Sequence, residues 1–170
     1  DIGVKNADAA VVAKQNKNSR YINFGGKGTL KIGSKAKGIV ENNAYFFNNH
    51  ISSVKVSKKN KYLKAQDGVL YSKNMKILYY YPAMKQNKKF TIPSTVTRVV
   101  RYAFANNNFL EQLNMGKNVK YVGTKAFSEC SRLKNITWKC KAQTIPAGCF
   151  EKCHSLKKIK LGDNVKNIKT

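Results

Sequence analysis

Apolar residues recur in this chain every 23 positions, and that period constrains the fold more than any other feature. Ala103-Phe104, Ala126-Phe127 and Cys149-Phe150 form one row. Leu110, Leu133 and Leu156 form a second; Leu113, Ile136 and Ile159 a third; Met115, Trp138 and Leu161 a fourth. Val96, Val119, Ala142 and Val165 keep the same step, as do Val99, Val122, Ile145 and Ile168. A unit this short cannot bury its own apolar side, so copies must stack and build one continuous core between them. Within each unit, Leu113-Asn114-Met115 or Ile136-Thr137-Trp138 alternates with period two, the mark of a strand with one buried face. The expected architecture is therefore a solenoid whose coils contribute successive strands to a parallel sheet. The Phe row fills its interior, and the small residue before each Phe lets the coils approach closely.

A fainter copy lies 59 residues upstream of the regular series. There Ala44-Tyr45 matches Ala103-Phe104, Ile51 matches Leu110, and Val54 and Val56 match Leu113 and Met115. Before it, Leu30, Ile32, Gly33, Ala36 and Ile39 resemble Leu113, Met115, Gly116, Val119 and Val122. An offset of 59 is one repeat of 23 plus 36, which calls for one long insertion, placed at about 57–89. Inside it, Gly68-Val69-Leu70-Tyr71 and Lys76 to Tyr81 flank the polar Ser72-Lys73-Asn74-Met75, the pattern of a β-hairpin stopped by Pro82. Residues 1–21 do not fit the repeat; Ala7 to Lys14 is helix-compatible and reads as an N-terminal cap or linker. The repeat domain is then 22–170.

The segments Phe90–Met115, Val119–Trp138 and Thr144–Leu161 resemble the BspA-like leucine-rich repeat family, and Asp67–Pro82 looks like the longer hairpin unit found among such proteins. Cys149 in place of a small Ala, Asn107 where Cys130 and Cys153 sit, and the bulky Trp138 depart from the pattern. The resemblance implies a leucine-rich-repeat solenoid. It also implies a bacterial protein, secreted or at the cell surface, that contacts other macromolecules and carries no shared catalytic motif.

Charge adds a second constraint. Lys and Arg together number 33 against 8 acids, a formal net charge of +25. Over a surface on the order of 8,000 Å² that is roughly one uncompensated charge per 300 Å². The only arginines are Arg20, Arg98, Arg101 and Arg132. Base reading favours the planar guanidinium fork, so the lysine bias argues against specific nucleic-acid recognition. It remains compatible with a diffuse, salt-sensitive contact to polyanions such as wall polymers, glycosaminoglycans or anionic surfaces. With 42% hydrophobic residues the chain can build a core, and no apolar run approaches the roughly 18 residues of a membrane span.

Candidate contact residues follow from the alternation. The outward positions of the strands are Lys89 and Thr91, Gln112 and Asn114, Asn135 and Thr137, Lys158 and Lys160, with Ser53 and Lys55 in the upstream copy. Solenoids bind through such extended rows. Tyr71, Tyr79, Tyr80 and Tyr81 are a second candidate surface, though aromatics of this kind more often pack a hairpin's own faces. Cys130, Cys140, Cys149 and Cys153 read as small buried hydrophobes, since two of them share one repeat phase; a disulfide among the four, in one of three pairings that the sequence does not choose between, is the alternative. The closeness of Cys149, Cys153 and His154 does not make a four-ligand metal set, and neither metal nor cofactor is expected. His50 and His154 occupy different phases and acids are scarce, so no catalytic group is expected. The sequence thus favours a non-enzymatic interaction module docking a host or cell-wall macromolecule on its sheet face. The alternative is an electrostatic polyanion binder.

Overall fold

The structure, a computed structural model, describes residues 28–37 and 50–169. The expected cap and the Ala44-Tyr45 pair lie outside them. The described chain is a parallel β-solenoid. One side carries a four-stranded sheet of β6 (Lys89–Thr91), β8 (Gln112–Asn114), β10 (Asn135–Trp138) and β12 (Lys158–Leu161), stacked in that order and all parallel. A second side carries β5 (Ile77–Tyr80), β7 (Arg98–Val99) and β9 (Tyr121–Val122), continued by the pair β11 (Thr144–Ile145) and β13 (Asn167–Ile168). Ladder partners are offset by the sequence period: Phe90, Leu113, Ile136 and Ile159 are successive rungs.

The interior is organised by a column of rings. Phe104 lies 5.0 Å from Phe127, and Phe127 lies 5.7 Å from Phe150, centroid to centroid. Trp138 fits edge-on against both Phe127 and Phe150 and is fully buried, which explains how a bulky residue is accepted in that strand. The column has one more rung than the Ala-Phe pattern announces. Tyr81 stacks on Phe104 at 4.7 Å and sits 23 residues before it. Its N–H donates to Ala103 O, as that of Phe104 does to Ala126 O and that of Phe127 to Cys149 O.

The inserted segment is a three-stranded antiparallel meander: β3 (Leu63–Gln66), β4 (Val69–Ser72) and β5, joined by turns at Asp67-Gly68 and Lys73–Lys76. The strand β4 lies between β3 and β5, so the second side gains one strand there. Paired strands lie about 4.8 Å apart, so an extra strand on one side alone puts the two sides out of step. The consequence appears on the first side. The upstream strands β1 (Gly28–Ile32) and β2 (Ile51–Val56) pair with each other in parallel, Leu30 beside Val54 and Ile32 beside Val56, but form a separate sheet. The turn at Gly68 reaches into the gap, its carbonyl accepting from Val54 N at 2.9 Å. A Cβ on Gly68 would meet Ser53 Oγ at 2.6 Å, so that turn requires a glycine.

Two asparagines buried at the corners bond across coils. The Asn107 amide donates to Pro82 O and Lys85 O, and its oxygen accepts from the N–H groups of Phe109 and Leu110. Asn60 does the same with Gly33 O, Ala36 O, Tyr62 N and Leu63 N. Removing either side chain strands buried backbone groups, each worth on the order of 1–3 kcal/mol. Asn107→Ala should therefore cost about 3 kcal/mol in urea unfolding. Asn118→Ala, which removes one exposed bond to Ser94 O, should cost under about 1 kcal/mol. Equal losses would show that Asn107 does not hold the coils together.

Candidate functional site

The outward rows of the four-stranded sheet are two straight files. Lys89, Gln112, Asn135 and Lys158 are register partners, as are Thr91, Asn114, Thr137 and Lys160. All are exposed except the half-buried Thr137. Rungs repeat at about 4.8 Å, so each file presents four side chains over about 14 Å. The strands hold these positions because the alternate residues Phe90, Leu113, Ile136 and Ile159 pack against or within the core. At the entrance to the strands, Glu111 is bracketed by Lys134 Nζ at 2.8 Å and Lys88 Nζ at 3.9 Å. The hydrogen bond from Lys134 holds the Glu111 carboxyl below the usual carboxylate range. The face itself carries hydroxyls and amides in the middle and lysines at both ends.

Two parts of the expected contact surface change. Ser53 and Lys55 do not extend the files, because β1 and β2 form a sheet of their own that does not pair with β6. Ser53 is half-covered by the Gly68 turn, whereas Lys55 is exposed beside Lys31. The tyrosine platform does not exist as a surface. Tyr71, Tyr80 and Tyr81 are buried at 1% exposure or less, and Tyr79 is half-buried between the two apolar clusters. Burial pushes the ionisation of all three buried phenols well above the usual range. Their aromatic bodies stabilise the joint between the meander and the regular coils, each by about 1.5–3 kcal/mol.

The four cysteines are free thiols and buried. Cys130 Sγ donates to Phe104 O at 3.1 Å and Cys153 Sγ to Phe127 O at 3.0 Å, so this phase uses a thiol where the preceding coil uses the Asn107 amide. Burial pushes the Cys140 and Cys149 thiols up. Among the described residues no three His, Cys, Asp or Glu side chains gather as a metal-binding group, and no helix is long and apolar enough to cross a membrane.

A family profile described as a BspA-type leucine-rich repeat region matches residues 76–170 in six copies. The chain belongs to the BspA-type leucine-rich repeat family. A leucine-rich cell-surface protein from Faecalibacterium prausnitzii has a similar structure, with a TM-score of 0.75 and 28% identity over 83% of this chain and 37% of that one. The pneumococcal vaccine antigen PcpA gives a TM-score of 0.70 at 23% identity, covering 84% of this chain and 35% of its own. A leucine-rich repeat protein from Eubacterium ventriosum gives 0.63 at 24%, covering 84% and 48%. The last two show the fold alone. The chain spans less than half the length of each of these structures. No curated protein matches it.

In this BspA-type solenoid the cysteines serve packing, which a thiol reagent can test. Native protein treated with an aromatic disulfide reagent at pH 7 should label at least 100-fold more slowly than the urea-unfolded chain, which should yield four equivalents. Raising the pH to 9 should speed the unfolded reaction while native labelling stays limited by opening. Rapid native labelling of any of the four would place that thiol outside the core.

Proposed function

We propose that the chain is a non-enzymatic interaction module of a bacterial surface protein, docking a host or cell-wall macromolecule through the four-stranded sheet. The observation carrying this reading is the pair of exposed files from Lys89 to Lys158 and from Thr91 to Lys160, held in register by a packed interior. Membership of the leucine-rich repeat family supports protein binding in general, since such repeats serve as contact scaffolds rather than catalysts. Likeness to a leucine-rich cell-surface protein at 28% identity supports the surface location.

Central positions of an interface carry most of its energy, and rim charges little. The decisive residues are therefore Gln112, Asn114, Asn135 and Thr137. Purified host extracellular-matrix proteins and isolated peptidoglycan can be passed over the immobilised chain at about 0.15 M salt and again at about 0.5 M, where surface charges are screened over a much shorter range. A ligand using this face stays bound at the higher salt and weakens at least tenfold on Asn114→Arg/Asn135→Arg. Binding that vanishes at high salt, or that ignores the double variant, would overturn the sheet-face assignment.

A further inference from the structure

A second surface of the solenoid has a different character. Two adjoining depressions of about 820 and 590 Å³ open where the chain enters the second side, the larger one continuing over β9 and β11 to the residues that follow them. Lys120 and Lys141 line both. Lys117 and Lys76 line the second depression, and Lys169 lines the first. Among the described residues that line either depression there is no carboxylate. The carboxylates that make ion pairs are engaged elsewhere: Glu111 with Lys134, Glu129 with Lys152 and Glu151 with Lys125.

The corner is rigid where it matters. Asn118 and Asn164 each donate to a carbonyl of the preceding coil, Ser94 O and Cys140 O. At the equivalent place in the coil between them stands Lys141, which points no amide back and is exposed. Lys76, Lys117 with Lys120, and Lys141 thus place ammonium groups from three of four successive coils in one trough running along the solenoid axis, and the remaining coil supplies the hydroxyls of Ser94 and Thr95; Lys169 lies beyond β13, at the far side of the first depression. Four coils span about 14 Å. A trough of like charges with no acids concentrates counter-ions and favours a chain that supplies charge repeatedly along its length.

We propose that this trough binds a linear phosphodiester polymer that carries no stacking bases, lying along the solenoid axis. The groups present select among polyanions. Lysine supplies point charges suited to single phosphates, without the bidentate forks that read bases. Tyr121, 69% exposed, is the only aromatic ring lining the trough among the described residues, so stacked bases gain little there. The polymer's backbone is the part recognised. This site is separate from the four-stranded sheet, and its failure or success leaves the sheet-face reading untouched.

The test uses the full chain and purified poly(glycerol phosphate), with heparin and polyuridylate as comparison polymers at equal charge. Lys117→Ala/Lys120→Ala/Lys141→Ala removes three exposed ammonium groups from the trough. Lys85→Ala/Lys152→Ala/Lys157→Ala removes three from other surfaces. The trough variant should lose at least tenfold in affinity for poly(glycerol phosphate) at low salt. Its log K against log salt slope should fall by about two, at about 0.7 for each phosphate that is no longer neutralised. The second variant should lose less than twofold. Equal losses in both variants would mean a diffuse cationic surface and overturn the site, as would no loss in either. Tighter binding of heparin or polyuridylate than of poly(glycerol phosphate) would overturn the ligand class.

Discussion

Ring-on-ring contact between consecutive coils sets the geometry on which every other feature of this solenoid rests. Tyr81, Phe104, Phe127 and Phe150 lie 4.7 to 5.7 Å from one neighbour to the next. That separation is close to the spacing of paired strands, so rings and ladders demand the same rise per coil. Each buried ring contributes about 1.5–3 kcal/mol by removal from water, and ring pairs add about 0.5–1.5 kcal/mol of directional preference. The column thereby fixes the rotation of every coil about the axis. Once that is fixed, which residues face out is no longer free.

The backbone carries the same period as the side chains. Tyr102, Lys125 and Gly148 have positive φ at one phase, and Asn106, Glu129 and Lys152 at another. Each coil therefore turns twice in the left-handed region at fixed places around the Phe. A non-glycine residue there costs roughly 1–2 kcal/mol, and only Gly148 avoids that cost. Close approach of coils makes a different demand. A Cβ at Gly116 would come within 2.5 Å of Ile92 O, so the strand-to-corner junction excludes any side chain at that position.

Much of this is legible in the sequence because repeated environments select repeated residues. The Leu, Val and Phe rows mark positions that are mostly buried in the inner coils and open up in the last one, where Leu161 and Ile168 are exposed; the alternation within each strand follows from one wet and one dry face. What escapes such a reading has equally physical reasons. Tyr81 belongs to the ring column, but it sits in Tyr80-Tyr81-Pro82 with no Ala before it. The strand preceding it is also out of step, since Ile77 pairs with Arg98 only 21 residues on. Tyrosines on a hairpin read more often as packing than as a contact surface, and the meander, built into the second side, buries three of them. The break between β2 and β6 is a strand-count effect of β4, invisible to any row alignment. The lysine trough is hidden because lysines occur throughout the chain, and only the fold separates those near carboxylates from those gathered in one corner.

The most direct test of the column is a double-mutant cycle on its rungs. Phe104→Leu, Phe127→Leu and Phe150→Leu keep the sites apolar, and urea unfolding of singles and doubles gives pairwise coupling. Stacked rungs predict a coupling of about 0.5–1.5 kcal/mol for Phe104 with Phe127. They predict additivity within about 0.5 kcal/mol for Phe104 with Phe150, which lie two coils apart. The same coupling in both pairs, or none in either, would contradict a column of successive rungs.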